Sequence, residues 1–333
     1  MKKMSEIGKN LLPAIAYGDA AGLPVETRSQ TQIIEQHGRI SRLIPVTDNP
    51  MFGGEFGVGT WSDDTQLSMA VARALIRARG FDMAVIAKEH VTEYERTPQI
   101  VKPNGETTKR GWGGSTTRSI ERYIAGTSVD QSGKLGGAGN GVLMKLAPLA
   151  YWLIASGIDS SESYDNLDKF TIFTHNSPIA QVATRTHFDA LNYLAHNEYN
   201  ATDFSDQTYR AALQHEATLG ESSNVVSNAI QYLRQESDMT ASTILAQTDG
   251  KGFYVPHTLA MAYGAFMAHD GEFTSSIYEA VNLGGDTDST AAIVAAMSLF
   301  RYGRIQQQPI DFTQTLEFDK LQKLSSQLVE AVA

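Results

Sequence analysis

The chain has 333 residues, 42% of them hydrophobic and 19% charged, with a formal net charge of −10. That balance describes a globular protein with a sizeable core, and it argues against a nucleic-acid groove or an anionic membrane as partner. With no cysteine in the chain, disulfides, zinc–thiolate sites and thiol nucleophiles are excluded, which is compatible with a reducing compartment.

Lys2 and Lys3 precede the apolar run from Leu11 to Ala16, which is too short for a signal-peptide core and is followed at once by Asp19. No run approaches the ~18 apolar residues of a membrane span, so a soluble, cytoplasmic protein is expected. Residues 5–21 read as a helix, with Ile7, Leu11, Ile15 and Ala16 on one face. Gly22 and Pro24 break it, and Asp19 and Glu26 flank that turn, where a solvated loop with incidental charge is the ordinary reading. A short helix at 31–37 and an irregular approach at 38–60, with Gly53, Gly54, Gly57 and Gly59, lead to Thr60-Trp61-Ser62-Asp63-Asp64-Thr65. Leu67, Val71, Ala74, Leu75 and Ala78 then follow at helical spacing, and Gly80 ends the run.

Another helix is expected at 82–95, then a loop from Thr97 to Trp112 with Pro98, Pro103, Asn104 and Gly105, then a helix opened by Gly113 and Gly114 and running through Tyr123. Gly136-Gly137-Ala138-Gly139-Asn140-Gly141 is the most glycine-dense stretch and precedes an apolar helix expected over 142–150. A glycine loop feeding a helix suits a phosphate, and it equally suits close helix packing. The spacing is neither a dinucleotide fingerprint nor a P-loop. Helical patterns follow at 164–174, 178–195, 205–219, 222–235 and 240–247, with Thr174-His175-Asn176-Ser177 breaking the first two. Phe253 and Tyr254 stand in a loop before a helix opened by Pro256, and a last helix is expected at about 313–331. Strand alternation is absent, so the expected fold is all-α, a single compact multi-helical domain over 1–333.

The stretch Gly284-Gly285-Asp286-Thr287-Asp288-Ser289 separates two of these helices, and the second, from Ala291 to Met297, is almost wholly apolar and therefore buried. Asp and Ser are ordinary N-caps, yet one cap needs one oxygen, and a cluster of side-chain oxygens is how a hard metal ion is held. Ser62-Asp63-Asp64 repeats the design more than 200 residues earlier. If tertiary structure brings the two helix starts together, their carboxylates repel unless cations sit between them, which favours a metal site over two separate caps.

Five motifs in order, Gly18 to Glu26, Trp61 to Thr65, Gly139-Asn140-Gly141 with Ala147-Pro148-Leu149, Thr174-His175-Asn176, and Gly284 to Ser289, resemble those of the ADP-ribosylglycohydrolases, close to the dinitrogenase-reductase-activating glycohydrolases. The resemblance implies a compact all-α fold with two divalent cations, Mg²⁺ or Mn²⁺, at the base of an ADP-ribose cleft. Carried over, it implies that Ser62, Asp63, Asp64, Asp286, Asp288 and Ser289 hold the metals and that Glu26 is the acid beside the scissile bond. It also implies that Gly139, Asn140 and Gly141 line the phosphate and ribose site, that His175 contacts the ligand, and that Tyr254 flanks it. Ser62 and Ser289 stand where many members carry threonine, and His257 where relatives often have an acid. The implied reaction is hydrolysis of the bond from ADP-ribose C1″ to an acceptor, foremost an arginine on protein, by a monomer. Asp63 or Asp288 would take the water's proton, and Glu26 would act as general acid–base. The rival readings are a non-catalytic ADP-ribose-binding, crystallin-like protein, a hydrolase of serine-linked or O-acetyl-ADP-ribose, a phosphohydrolase cutting the pyrophosphate, and a structural calcium site.

Overall fold

A computed structural model describes residues 2–332 apart from 48, 50–54, 102–104, 106, 110 and 237. Gly53, Gly54, Pro103 and Asn104, singled out in the sequence, lie outside the described residues. The chain folds into helices α1 (Lys2–Gly22), α2 (Gln30–His37), α3 (Asp63–Ala78), α4 (Met83–Arg96), α5 (Gly114–Ile124), α6 (Val129–Ser132), α7 (Ala147–Ala155) and α8 (Ser160–Ile172). The second half adds α9 (Pro178–His196), α10 (Ala201–Leu219), α11 (Val225–Ile230), α12 (Ala241–Leu245), α13 (Val255–Ala268), α14 (Phe273–Leu283), α15 (Thr287–Tyr302) and α16 (Phe318–Val332). The fold is all-α. Its strands are short: β1 (Gln99–Val101) pairs antiparallel with β2 (Thr107–Lys109), and β3 (Lys134–Leu135) pairs parallel with β4 (His175–Asn176). Among the described residues no helix is long and apolar enough to cross a membrane.

Helix α15 is the axis of the molecule. Every residue from Thr287 to Phe300 is buried, and it packs against α1, α3, α9, α13 and α14. Such a helix has no polar face to offer water, which is why its sequence is apolar all round. One contiguous core around it draws side chains from Ile7 to Leu328.

The α1–α15 crossing is closer than side chains allow. A Cβ on Gly18 would lie 2.4 Å from the Ala291 carbonyl oxygen, and one on Gly22 would lie 2.2 Å from that of Thr287. Gly22 has φ −83°, open to any residue, so it is glycine for clearance and not for backbone freedom. At i and i+4 the two glycines share one face of α1. The approach lets Thr287 Oγ1 donate to the Gly22 carbonyl at 2.8 Å and sets the start of α15 beside the end of α1.

Several boundaries differ from the sequence expectations. The apolar helix expected over 142–150 begins only at Ala147, after a 3₁₀ turn at Asn140–Val142. Pro148 is the cause: inside a helix it lacks a donor and clashes with the preceding turn, whereas in the first turn it is favoured. The loop expected from Thr97 to Trp112 contains the β1–β2 hairpin, whose strands are too short to show alternation. The segment 222–235 breaks into α11 and a 3₁₀ turn at Gln231–Arg234. The last helix starts at Phe318 and not near 313, because Glu317 takes φ +56° and Leu316 is left 42% exposed.

The Gly22 contact is testable. Gly22→Ala should lower the urea midpoint through overpacking of about 1–3 kcal/mol, and a wild-type midpoint would refute the close-approach reading.

Candidate active site

Two helix starts, one turn and two loops build a single cleft. Its walls include Glu26, Asp63 and Asp64, Gly111 and Gly113 to Thr116, Gly139 to Gly141 with Met144, His175, Phe253, and Asp286, Asp288 and Ser289. The cavity measures about 230 Å³, below the ~300–1,000 Å³ usual for pockets that enclose a drug-sized ligand. A larger ligand therefore extends past the rim, where Phe253 is 39% exposed.

At α3 the hydrogen bonds show why the acids are free to face the cleft. The Ser62 hydroxyl accepts from Asp64 N at 3.3 Å. Asp19, reaching across from α1, takes the Ser62 N–H on both carboxylate oxygens at 2.8 and 2.9 Å and the Thr65 N–H at 3.0 Å. The Thr65 hydroxyl donates to it as well, at 2.6 Å. With the orphan N–H groups of the helix start met from elsewhere, Asp63 and Asp64 need not cap. The same holds at α15, where Asp286 occupies the N-cap position and makes no side-chain cap bond. Its Oδ2 accepts instead from Asn140 Nδ2 at 2.7 Å. Capping alone does not explain these carboxylates.

The two acid-crowned starts do converge. Ser289 Oγ donates to Asp64 Oδ1 at 3.3 Å, joining residues 225 apart in sequence. One carboxylate oxygen each from Glu26, Asp286 and Asp288 lies within 4.8 Å of the others. The Gly284-Gly285 turn holds this arrangement: both glycines have positive φ, +81° and +78°, and Gly285 exchanges backbone bonds with Thr27 and Arg28 at 2.7 and 2.8 Å. That exchange places Glu26 against α15. Gly111, at φ +77°, lies so close to α3 that a Cβ would sit 2.3 Å from Asp63 Oδ1.

The glycine loop forms the opposite wall. It is stitched to the 253–255 segment by Asn140 N to the Phe253 carbonyl at 3.1 Å and Val255 N to the Ala138 carbonyl at 2.9 Å. It does not feed a helix N-terminus directly, since α7 starts six residues later. On this side of the cleft the lining helix start is that of α5, through Gly113, Gly114, Ser115 and Thr116.

Of the residues singled out in the sequence, Glu26, Asp63, Asp64, Gly139, Asn140, Gly141, His175, Asp286, Asp288 and Ser289 line the cleft. Ser62 is fully buried behind them. Tyr254 is not in the cleft wall; its neighbour Phe253 is, and Tyr254 bridges to Gly139 through the backbone and meets His257 edge-on at 5.1 Å. Sequence reasoning overlooked Asp19, read as a loop acid and in fact wholly buried, and Lys145, wholly buried one residue beyond Met144.

Burial dominates the electrostatics. It pushes the Asp63, Asp64, Asp288 and Glu26 carboxyls well above their ordinary values, reinforced in Asp63, Asp64 and Glu26 by the charge of Asp288 and in Asp288 by that of Asp286. Asp19 is pushed up to about 7 by burial and Asp288, against its bonds from Thr65 and Ser62, and Asp286 up to about 6 by burial. Glu26 Oε2 and Asp64 Oδ2 are buried with no hydrogen-bond partner among the described residues. Unpartnered carboxylate oxygens beside hydroxyls form a hard-oxygen donor set, and the residues fit divalent cations.

Fold and site thus define a class, an all-helical protein whose buried carboxylates converge on a small-molecule cleft. The family model for ADP-ribosylglycohydrolase matches residues 9–333. The chain belongs to the ADP-ribosylglycohydrolase family, and it is a glycohydrolase enzyme. It is 25% identical over 296 residues to the ADP-ribosyl-[dinitrogen reductase] glycohydrolase of Rhodospirillum rubrum, covering 87% of this chain and 83% of the relative. It is 24% identical over 331 residues to the ADP-ribosylarginine hydrolase Tri1 of Serratia proteamaculans, covering 96% of this chain and 78% of the relative. A solved structure titled ADP-ribosylglycohydrolase-related protein complex shares the fold at a TM-score of 0.68 and 22% identity, over 100% of both chains.

Two predictions follow from this geometry. Without cations the raised carboxyls hold protons in the folded state that the unfolded chain releases near pH ~3.9. The stability they contribute is complete below about pH 4 and is lost as pH rises through the folded values, about 7 for Asp19 and about 6 for Asp286. Because ligands bind cations deprotonated, the rise in Tm that a divalent cation produces over chelator should be larger at pH 7.5 than at pH 5; thermal melts showing the reverse order would refute it. Asp19→Ala, distant from the cavity wall, should weaken cation affinity by about 10–100-fold, the usual effect of losing a group that orients ligands, as read by calorimetric titration.

Proposed function

We propose that the protein is a metal-dependent hydrolase cleaving the C1″ glycosidic bond between ADP-ribose and an acceptor, foremost an arginine on protein, and so reversing mono-ADP-ribosylation. The observation that carries the reading is the convergence of Asp63 and Asp64 with Asp286 and Asp288 in one cleft beside Glu26. The arginine acceptor is supported by two relatives named ADP-ribosylarginine hydrolase. Substrates are accordingly ADP-ribosylated proteins or small ADP-ribose conjugates. The contiguous core supports one domain over 1–333, and we take the enzyme as a cytoplasmic monomer.

Ser62, Asp63, Asp64, Asp286, Asp288 and Ser289 would hold two divalent cations, Mg²⁺ or Mn²⁺. Bound there, the cations would supply Lewis acidity and counter-charge. Glu26, whose Oε2 has no competing partner among the described residues and whose carboxyl burial pushes well above its ordinary value, is placed to protonate the departing nitrogen. Asp63 or Asp288 takes the proton of the attacking water. Asn140, anchored on Asp286 and on the Gly252 carbonyl at 3.3 Å, holds the glycine loop at the cleft, where Gly139 and Gly141 let a ligand approach the backbone. Tyr254 supports that loop from behind, and Phe253 is the aromatic face available at the rim.

The experiment is chromatography of the products of ADP-ribosyl-arginine with Mg²⁺, with Mn²⁺ and with chelator. Intact ADP-ribose released only with metal is expected; AMP would indicate pyrophosphate cleavage instead. Release from serine-linked or O-acetyl substrates alone would move the acceptor, and binding without turnover would mark a crystallin-like protein. Asp63→Ala and Asp288→Ala should each abolish turnover while the circular dichroism spectrum is retained. Glu26→Gln should lower kcat by about 10²–10⁴-fold, the usual worth of a general acid.

A further inference from the structure

Lys145, buried behind the cleft wall, has no task in the mechanism. Its side chain is fully buried, and an ammonium is costly to bury unless its donors are used. Nζ lies 3.4 Å from Thr174 Oγ1 and 5.5 Å from the centre of the Phe170 ring. The same Thr174 hydroxyl lies 2.9 Å from Nδ1 of His175. The Thr174 backbone is pinned: its N–H donates to the Thr171 carbonyl and its own carbonyl accepts from Lys134 N and Ser119 Oγ, each at 3.2 Å. The far edge of the His175 ring faces the glycine loop: a Cβ on Gly141 would come within 3.1 Å of Cε1, and one on Gly139 within 3.5 Å of Nε2. Nε2 has no protein partner among the described residues, and His175 lines the cleft.

With Lys145 as an ammonium, the proton count along this chain has one solution. An ammonium has donors only, and a threonine hydroxyl has one proton and two lone pairs. Lys145 therefore donates to Thr174 Oγ1, and the threonine proton is directed at His175 Nδ1. The opposite direction, Nδ1–H to Oγ1, would leave the threonine proton with no acceptor, since Lys145 offers none. Nδ1 is thus a lone pair, and the ring proton resides on Nε2, facing the cleft. We propose that Lys145 and Thr174 are positioning residues that lock His175 as the Nε2–H tautomer, so that it donates a hydrogen bond to an acceptor oxygen of the bound ligand and takes no part in proton transfer. The ring is kept neutral by burial and then by the charges of Lys145 and Lys134, which push its pKa down to about 3. Burial lowers Lys145 to about 7, and the nearby Asp63 pulls the other way. The identity of the ligand rests on the ADP-ribose reading, but the tautomer does not.

The test uses the Mg²⁺-loaded protein with ¹⁵N-labelled histidine. Long-range ¹H–¹⁵N correlation distinguishes the two tautomers, and His175→Gln identifies the ring. The wild type and Thr174→Ser should show the Nε2–H pattern. Thr174→Val, which keeps the side-chain shape, and Lys145→Met should show a mixture or the Nδ1–H form. Affinity for ADP-ribose, by calorimetry, should fall about tenfold in Thr174→Val, equivalent to ~1.4 kcal/mol, and return in Thr174→Ser. An Nδ1–H pattern in the wild type overturns the proposal, as does a Thr174→Val protein with the wild-type ring spectrum and affinity. A wild type that shows the Nε2–H pattern and binds no ADP-ribose confirms the relay and refutes the ligand.

Discussion

The constraint on which the molecule depends is electrostatic. Six carboxylates, those of Asp19, Glu26, Asp63, Asp64, Asp286 and Asp288, are all at most 4% exposed and stand close enough to perturb one another. Such a group is unfavourable on its own terms, since each charge loses its hydration and gains repulsion. It survives because the surrounding fold is over-determined. Helices α1, α3, α13 and α15 and the 27–29 and 284–285 turns fix the backbone so firmly that the acids have nowhere to relax. The cost of the site is borne by the core, and the proposed pair of cations would supply the counter-charge that the fold omits.

Asp19 shows how this rigidity is transmitted. It does not line the cleft, yet it occupies N–H groups that α3 would otherwise present to Asp63 and Asp64. A carboxylate from a different helix serves as the cap, and the two local acids are released for other work. At the second helix start Asn140 donates to Asp286 and holds its carboxylate at the cleft. In both places a residue remote in sequence fixes how the local acids are presented. Lys145 belongs to the same pattern, as a buried charge whose effect reaches the cleft only through its neighbours.

Much of this was legible in the chain. The all-apolar run after Ser289 pointed to burial, and the paired acids before two helix starts favoured a metal site over two separate caps. What was hidden is instructive. Asp19 looked like a loop acid because nothing near residue 19 says that its hydrogen-bond donors include an amide 43 residues away. Lys145 was concealed inside an apolar run. Phe253 and Tyr254 are adjacent aromatics, and which of them reaches the cleft is decided by the backbone bridge between Gly139 and Tyr254, a tertiary fact. Pro148, by contrast, stated its boundary openly: a proline inside the expected helix marked the true start of α7.

The crossing of α1 and α15 also has a consequence in time. Gly22 and its partner Thr287 are 265 residues apart, and contacts of such span are intrinsically late in folding. At about 5–20 residues per second of synthesis, α1 waits roughly 13–50 seconds for the surface it is shaped to meet. During that interval the Gly18 and Gly22 face of α1 lacks the helix it meets in the folded protein, and the cleft is incomplete until Asp286, Asp288 and Ser289 have been made.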